Sequence, residues 1–381
     1  MFPRVFLSRY WQRRPLLLRG AFPGFRDPVT PQKLAALACR AGVESRLVIE
    51  KGGARPWQVI HGPQSPRRLK GLPPSHWTLL VQEVNRHVPA VAALLDAFHF
   101  LPRWRVDDVM VSVAPPGGSV GPHLDSYDVF LLQGRGRRRW QIGRPVSREL
   151  RPGLDLAILR RFACEQEAVL ECGDMLYLPP GVAHHGVALN DCLTYSIGFR
   201  APSHADLLIR HLQRRLEGLD RSLLYIDPQL RPELHPGAID RKTVARLGRI
   251  LKHACAPPRG ASLDRFVGEM LTEPKRRAQP PRRAALAPSE VARRLRRAGG
   301  LMPSPGSRIA FIGGPRRAQL FLDGRCLPLS GRLASAAPLL SDPRGLSAAR
   351  VLPHLRSAGF RQLLAELVNA GALRFARPPL A

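Results

Sequence analysis

The stretch Gly121-Pro122-His123-Leu124-Asp125-Ser126-Tyr127-Asp128-Val129-Phe130 is answered further along by Gly173-Asp174-Met175-Leu176-Tyr177-Leu178-Pro179-Pro180-Gly181-Val182-Ala183-His184. In an extended strand alternate side chains share a face, so His123 and Asp125 point the same way and can grip one cation, with a third ligand arriving from elsewhere. Two imidazoles and one carboxylate on one side of a metal leave positions open, which is the donor set of non-haem Fe(II) oxygenases; a structural zinc site would be closed. In the second segment a Gly-Asp turn precedes a short apolar strand, and Pro179-Pro180-Gly181 forces a bend just before a histidine. Two such halves predict a double-stranded β-helix of the jelly-roll and cupin kind.

The next strand adds a co-substrate anchor. After the turn Gly134-Arg135-Gly136 comes Arg137-Arg138-Arg139-Trp140-Gln141-Ile142, and period two puts Arg138 with Trp140 and Ile142 on the apolar face. A solvated basic run fits Arg137 and Arg139. A buried Arg138 needs a carboxylate to meet its planar fork, and a dicarboxylic acid such as 2-oxoglutarate supplies one.

These residues resemble a known family. Arg103 to Met110, Pro116-Gly117-Gly118, Val120 to Phe130, Gly136 to Trp140, Pro179-Pro180-Gly181 with His184, and Tyr195 to Pro202 are similar to the bacterial ribosomal oxygenases. So are Trp11 to Pro15, Ser45 to Val48 and His61-Gly62-Pro63. Those are JmjC-type, cupin-fold enzymes that hydroxylate an arginine at its β-carbon in protein sixteen of the large ribosomal subunit. The resemblance implies His123, Asp125 and His184 as Fe(II) ligands, and Arg138 and Ser112 as contacts to 2-oxoglutarate. Ser112, on Met110-Val111-Ser112-Val113, is singled out by the resemblance alone. The family usually carries an acidic residue after the third ligand, where this chain has His185, so His185 stays a rival to His184. The implied reaction couples decarboxylation of 2-oxoglutarate to succinate with hydroxylation of a substrate carbon.

A cationic substrate side chain calls for acidic or aromatic company. Tyr127 shares the ligand face and is a candidate for the substrate pocket or for plain barrel filling. Asp128 points the other way. Asp107 or Asp108 could meet the substrate guanidinium or pair structurally with Arg103 or Arg105.

The chain has 381 residues, room for two or three domains with cores of their own. Its six cysteines form no Cys-x-x-Cys pair or dense framework, which suits reduced intracellular thiols. No apolar run approaches a membrane span. Arg4, Arg9, Arg13 and Arg14 precede the first acid, Asp27, as in a transit peptide, yet this stretch matches the family's folded start, and a cytoplasmic location is expected. The net charge is +30, from 59 Lys and Arg against 29 Asp and Glu, with arginine replacing lysine almost everywhere. Contact with ribosomal RNA and a compositional bias of the genome both account for that.

The expected architecture is mixed α and β. Residues 1–202 form the JmjC/cupin oxygenase domain, with a helix expected over roughly Ser75 to Phe98. Residues 203–272 form a helical region, capped at Ser203 and Asp240, which the resemblance makes a homodimerisation region. Residues 273–288, rich in Pro and Arg, are expected as a linker, and 289–381 as a winged-helix-like domain with strands near Arg308 to Ile312 and Gln319 to Leu322 and a helix ended by Gly371. Two rivals belong to other classes: a non-catalytic metal-binding cupin, and a ribosome-associated RNA-binding factor. A third, within the class, is an oxygenase or demethylase acting on histidine or lysine.

Overall fold

The computed structural model describes residues 3–52, 57–232, 234–275 and 284–376. Half of the linker expected over 273–288, residues 276–283, therefore lies outside the described residues. The fold that holds the site is built from twelve strands. In chain order they are β1 (Leu16–Leu18), β2 (Ser45–Glu50), β3 (Trp57–His61), β4 (Trp77–Val81), β5 (Val106–Ala114) and β6 (His123–Leu124). Then come β7 (Asp128–Gln133), β8 (Arg138–Pro145), β9 (Phe162–Leu170), β10 (Met175–Leu178), β11 (Ala183–Ala188) and β12 (Cys192–Phe199). One sheet has the order β1-β10-β7-β12-β5-β4-β2-β3 and the other β6-β11-β8-β9, the two antiparallel sheets of a jelly roll.

Alternation sorts the larger sheet into two faces. Phe130 and Leu132 of β7 and Tyr195, Ile197 and Phe199 of β12 join a core with Phe6, Phe98 and Tyr177. Val129 and Leu131 turn the other way, onto Trp140 and Ile142 of the smaller sheet. At 0 % exposure, Asp128 lies with the first face, as simple alternation requires. Its Oδ2 accepts from Arg105 Nη2 (2.8 Å) and Gln12 Nε2 (2.9 Å), and its Oδ1 from the Tyr177 hydroxyl (2.7 Å). Arg105 packs between the rings of Trp11 and Trp104, so one carboxylate ties the start of the chain to the barrel. The arginine-rich opening is a helix, Pro3–Arg9, with Phe6 buried in this core.

One expectation fails. The segment Ser75 to Phe98 is not one helix: Trp77–Val81 is strand β4, followed by short turns Val84–His87, Pro89–Ala92 and Ala93–Phe98. β4 lies between β2 and β5 with four of its five side chains buried, and a strand buried on both faces can carry successive apolar residues such as Leu79-Leu80-Val81, which satisfy helical spacing by accident. Pro89 then interrupts any longer helix.

By contacts the chain divides into two compact units, 1–201 with 278–307 and 342–381, and 202–277 with 308–341. In the second, helix His204–Glu217 opens with a capping box between Ser203 and Asp206, and Asp240 caps helix Arg241–Ala254. Strands Ile309–Gly313, Arg317–Leu322 and Arg325–Ser330 form a meander against helix Ala261–Thr272. In the first unit, helices Pro288–Ala298 and Ala358–Asn369 pack together, with a three-stranded sheet that includes Gly300–Pro303.

Candidate metal centre and co-substrate cavity

β6 and β11 pair antiparallel with His123 opposite His184, and Asp125 follows directly after β6. Ligand atoms of His123, Asp125 and His184 all lie within 4.8 Å of one another, the only such His/Cys/Asp/Glu group among the described residues. The two segments are also tied through backbone: the Gly181 N–H, in the turn after Pro179-Pro180, donates to the Asp125 carbonyl (2.8 Å). Gly181 has φ +79, which favours a residue without Cβ there.

The hydrogen bonds fix the tautomers. His123 Nδ1 lies 2.9 Å from the Gly121 carbonyl and His184 Nδ1 lies 3.1 Å from the Val182 carbonyl. A carbonyl only accepts, so each Nδ1 carries a proton, and a neutral ring with that tautomer presents its lone pair at Nε2. Burial first, and then the neighbouring His123, holds His184 well below its ordinary pKa, in the neutral form that ligates metals. His184 Nε2 faces Asp125 Oδ2 at 3.6 Å. Burial raises the Asp125 carboxyl, while His123, a hydrogen bond from Tyr127 and the Arg46 charge act to lower it. Two lone-pair nitrogens and a carboxylate oxygen converging in this way suit a divalent cation.

These groups open on a cavity of about 300 Å³ between the sheets. Arg138 and Ser112 line it, at 3 % and 6 % exposure. The Arg138 guanidinium donates to the Gly186 carbonyl and the Cys192 thiol, both at 3.4 Å, and packs 5.8 Å from the centre of the Trp140 ring. Its Nε has no hydrogen-bond partner. Among the described residues no carboxylate pairs with it, and a buried guanidinium in that state suits an anionic ligand.

Tyr127 lines the same cavity, and burial followed by the Asp125 charge pushes its phenol pKa up, so it stays a neutral donor. Asp107 and Asp108 are not among the lining residues. Both stand behind Tyr127, near Gly198. Asp108 Oδ2 accepts the backbone N–H of Glu83 (2.9 Å), a residue held at φ +51, which accounts for its burial. Arg105 pairs with Asp128. His185, next to His184, faces away from the cavity with Nε2 3.0 Å from Ser119 Oγ.

Sequence reasoning missed four polar lining side chains: Arg46, Thr78, Thr194 and Ser196. Thr194 stands directly opposite Ser112 across β12 and β5, a pairing that no local pattern reveals. Arg46 Nη2 reaches Gln82 (3.1 Å), which in turn reaches Asp108 (3.1 Å).

Residues 93–207 match the JmjC domain family, and residues 258–374 match the ROXA-like winged helix family. The chain is 36 % identical over 372 residues to an Escherichia coli protein named ribosomal protein uL16 3-hydroxylase, covering 96 % of this chain and 95 % of the relative. The chain belongs to the JmjC ribosomal oxygenases. Its fold agrees with that of E. coli YcfD, with TM-score 0.84 and 35 % identity over 98 % of both chains. A second structure of YcfD, described as a ribosomal oxygenase in complex with cobalt and 2-oxoglutarate, matches at TM-score 0.81 and 35 % identity, again over 98 % of both chains. In this ribosomal oxygenase the JmjC match spans the strands that carry His123, Asp125, Arg138 and His184, and the winged-helix match begins before helix Ala261–Thr272.

Proposed function

We propose that this chain is an Fe(II)- and 2-oxoglutarate-dependent oxygenase that hydroxylates the β-carbon of an arginine in the ribosomal protein uL16. His123, Asp125 and His184 hold the iron, and Arg138 with Ser112 holds the far carboxylate of 2-oxoglutarate. One observation carries this reading: a buried cation without a carboxylate partner lines the same cavity as the convergent His, Asp, His group. When bound, the iron with its co-substrate supplies the oxidising chemistry that leaves succinate and carbon dioxide. The chain's own residues place the reactants and exclude water. Tyr127 sits beside Asp125 at the cavity wall, suited to packing against a substrate guanidinium.

The reaction is tested by incubating the protein with Fe(II), 2-oxoglutarate and uL16, then reading succinate and the mass of uL16 peptides. One added oxygen on one arginine supports the reading. Oxygen added to a histidine or lysine supports the rival within the class, and no oxidised peptide sinks both. Arg138→Met will raise the KM for 2-oxoglutarate by about tenfold to a hundredfold, the worth of one or two charge-assisted hydrogen bonds. Wild type held at about 100 times its Kd for the co-substrate gains about 2.7 kcal/mol, and a thermal melt of the variant at that concentration should keep only about 0.4 to 1.4 kcal/mol of it.

Three further parts of the proposal rest on the surface. Leu208, Ile209 and Leu216 on helix His204–Glu217, and Ile250 and Leu251 on helix Arg241–Ala254, are 48–65 % exposed, which supports pairing with a second copy. Light scattering at the mass of a dimer is the expected result. The charge of +30 supports contact with ribosomal RNA, weakening steeply as salt rises. Work on a ribosomal protein supports a cytoplasmic location.

A further inference from the structure

His123 rides on a strand of only two residues, held by two cross-strand pairs, Leu124 with Ala183 and His123 with His184. So short a strand leaves much of the placement of His123 to the loop before it. That loop is locked by an unbroken chain of hydrogen bonds. The ring of His123 donates to the Gly121 carbonyl (2.9 Å), and the Gly121 N–H donates to Ser119 Oγ (3.0 Å). Ser119 Oγ then lies 3.0 Å from His185 Nε2. Ser119 is 3 % exposed, and its carbonyl accepts from the hydroxyl of Thr78 (3.3 Å), a lining residue of the cavity. Gly121 has φ +75, and a Cβ there would stand 2.9 Å from Ile158, so the position has no room for a side chain.

His185 is the far end of the chain. Its ring is on the opposite side of β11 from His184 and borders a separate cavity with Trp57, His76 and Arg151. Ser119 Oγ, which accepts from the Gly121 N–H, is thus also at hydrogen-bond distance from His185 Nε2, so the side chain of Ser119 joins the two.

Resting on the reading of His123, Asp125 and His184 as the iron ligands, we propose that Ser119 and His185 are positioning residues for the metal. They hold the Gly121 peptide so that its carbonyl fixes the tautomer and the aim of His123. His185 thereby acts on the metal through the loop and not as a ligand. Groups that orient a ligating imidazole in this way typically change metal affinity by about tenfold to a hundredfold when removed.

The test uses the full chain and Co(II) as the probe, titrated without substrate and followed by visible absorption, whose band shape reports ligand geometry. Ser119→Ala and His185→Phe should each bind Co(II) about tenfold or more weaker than wild type, with an altered band. His185→Gln, whose amide reaches the position of Nε2, should restore both affinity and band. Melting temperatures without metal control for folding. Co(II) affinity equal to wild type in Ser119→Ala and His185→Phe overturns the inference. So does a loss that His185→Gln fails to rescue while the metal-free melt is unchanged, or a loss that only tracks a lowered melt. Failure of the wild type to bind Co(II) removes the iron-site reading itself, whereas normal binding with indifferent variants sinks this inference alone.

Discussion

With His123 and Asp125 both replaced by alanine, no succinate will form above background in the presence of Fe(II), 2-oxoglutarate and uL16, and added Co(II) will give no protein-bound absorption band. The pair supplies two of the three side chains whose ligand atoms fall within 4.8 Å, and His184 alone is a weak ligand for a divalent ion. The double variant should still fold, because both replaced side chains lie at a cavity wall rather than in the apolar core and removing Asp125 takes away a carboxylate that burial disfavours. Its melting temperature without metal should stay within a few degrees of wild type or rise. Turnover that survives the double replacement would overturn the metal assignment, and with it the proposed chemistry.

Asp128→Ala will cost stability rather than catalysis. This carboxylate is 0 % exposed and meets Arg105, Tyr177 and Gln12 at 2.7–2.9 Å, so its loss leaves the Arg105 guanidinium buried with no carboxylate facing it. Breaking a buried pair by removing one partner costs about 3–5 kcal/mol, a large part of the stability of an ordinary domain. Chemical denaturation of the variant should show the midpoint fall accordingly. Asp128→Asn should fall less, since an amide oxygen still accepts from Tyr177 and Gln12. A loss below about 1 kcal/mol in Asp128→Ala would show that the pair gives nothing beyond its burial.

Much of the site was legible because period two is a strong constraint. His123 and Asp125 had to share a face, and Arg138 had to go with Trp140 and Ile142, whatever the rest of the chain did. The structure places Arg138 inward, at 3 % exposure. The same logic placed Asp128 away from His123 and Asp125. The alternation stops at parity, however. It cannot tell a strand buried on both faces from a helix, which is how Trp77–Val81 was misread, and it cannot say how far along a strand the cavity extends. Asp108 has the parity of Met110 and Ser112, yet it lies beyond the lining and is taken up by the Glu83 backbone.

What the sequence determined by itself is the local chemistry: a His-x-Asp pair on one face, a bend before a histidine pair, an arginine among apolar neighbours, and helix caps at Ser203 and Asp240. These follow from backbone geometry over a few residues. The tertiary structure alone decided which of His184 and His185 meets Asp125, that Thr194 stands across from Ser112, that Arg46 reaches the cavity, and that Ser119 and His185 brace the loop ahead of His123. Each of those depends on the register between strands far apart in the chain. Register is fixed by the packing of whole sheets, and a slip of one residue would send every one of these side chains to the opposite face.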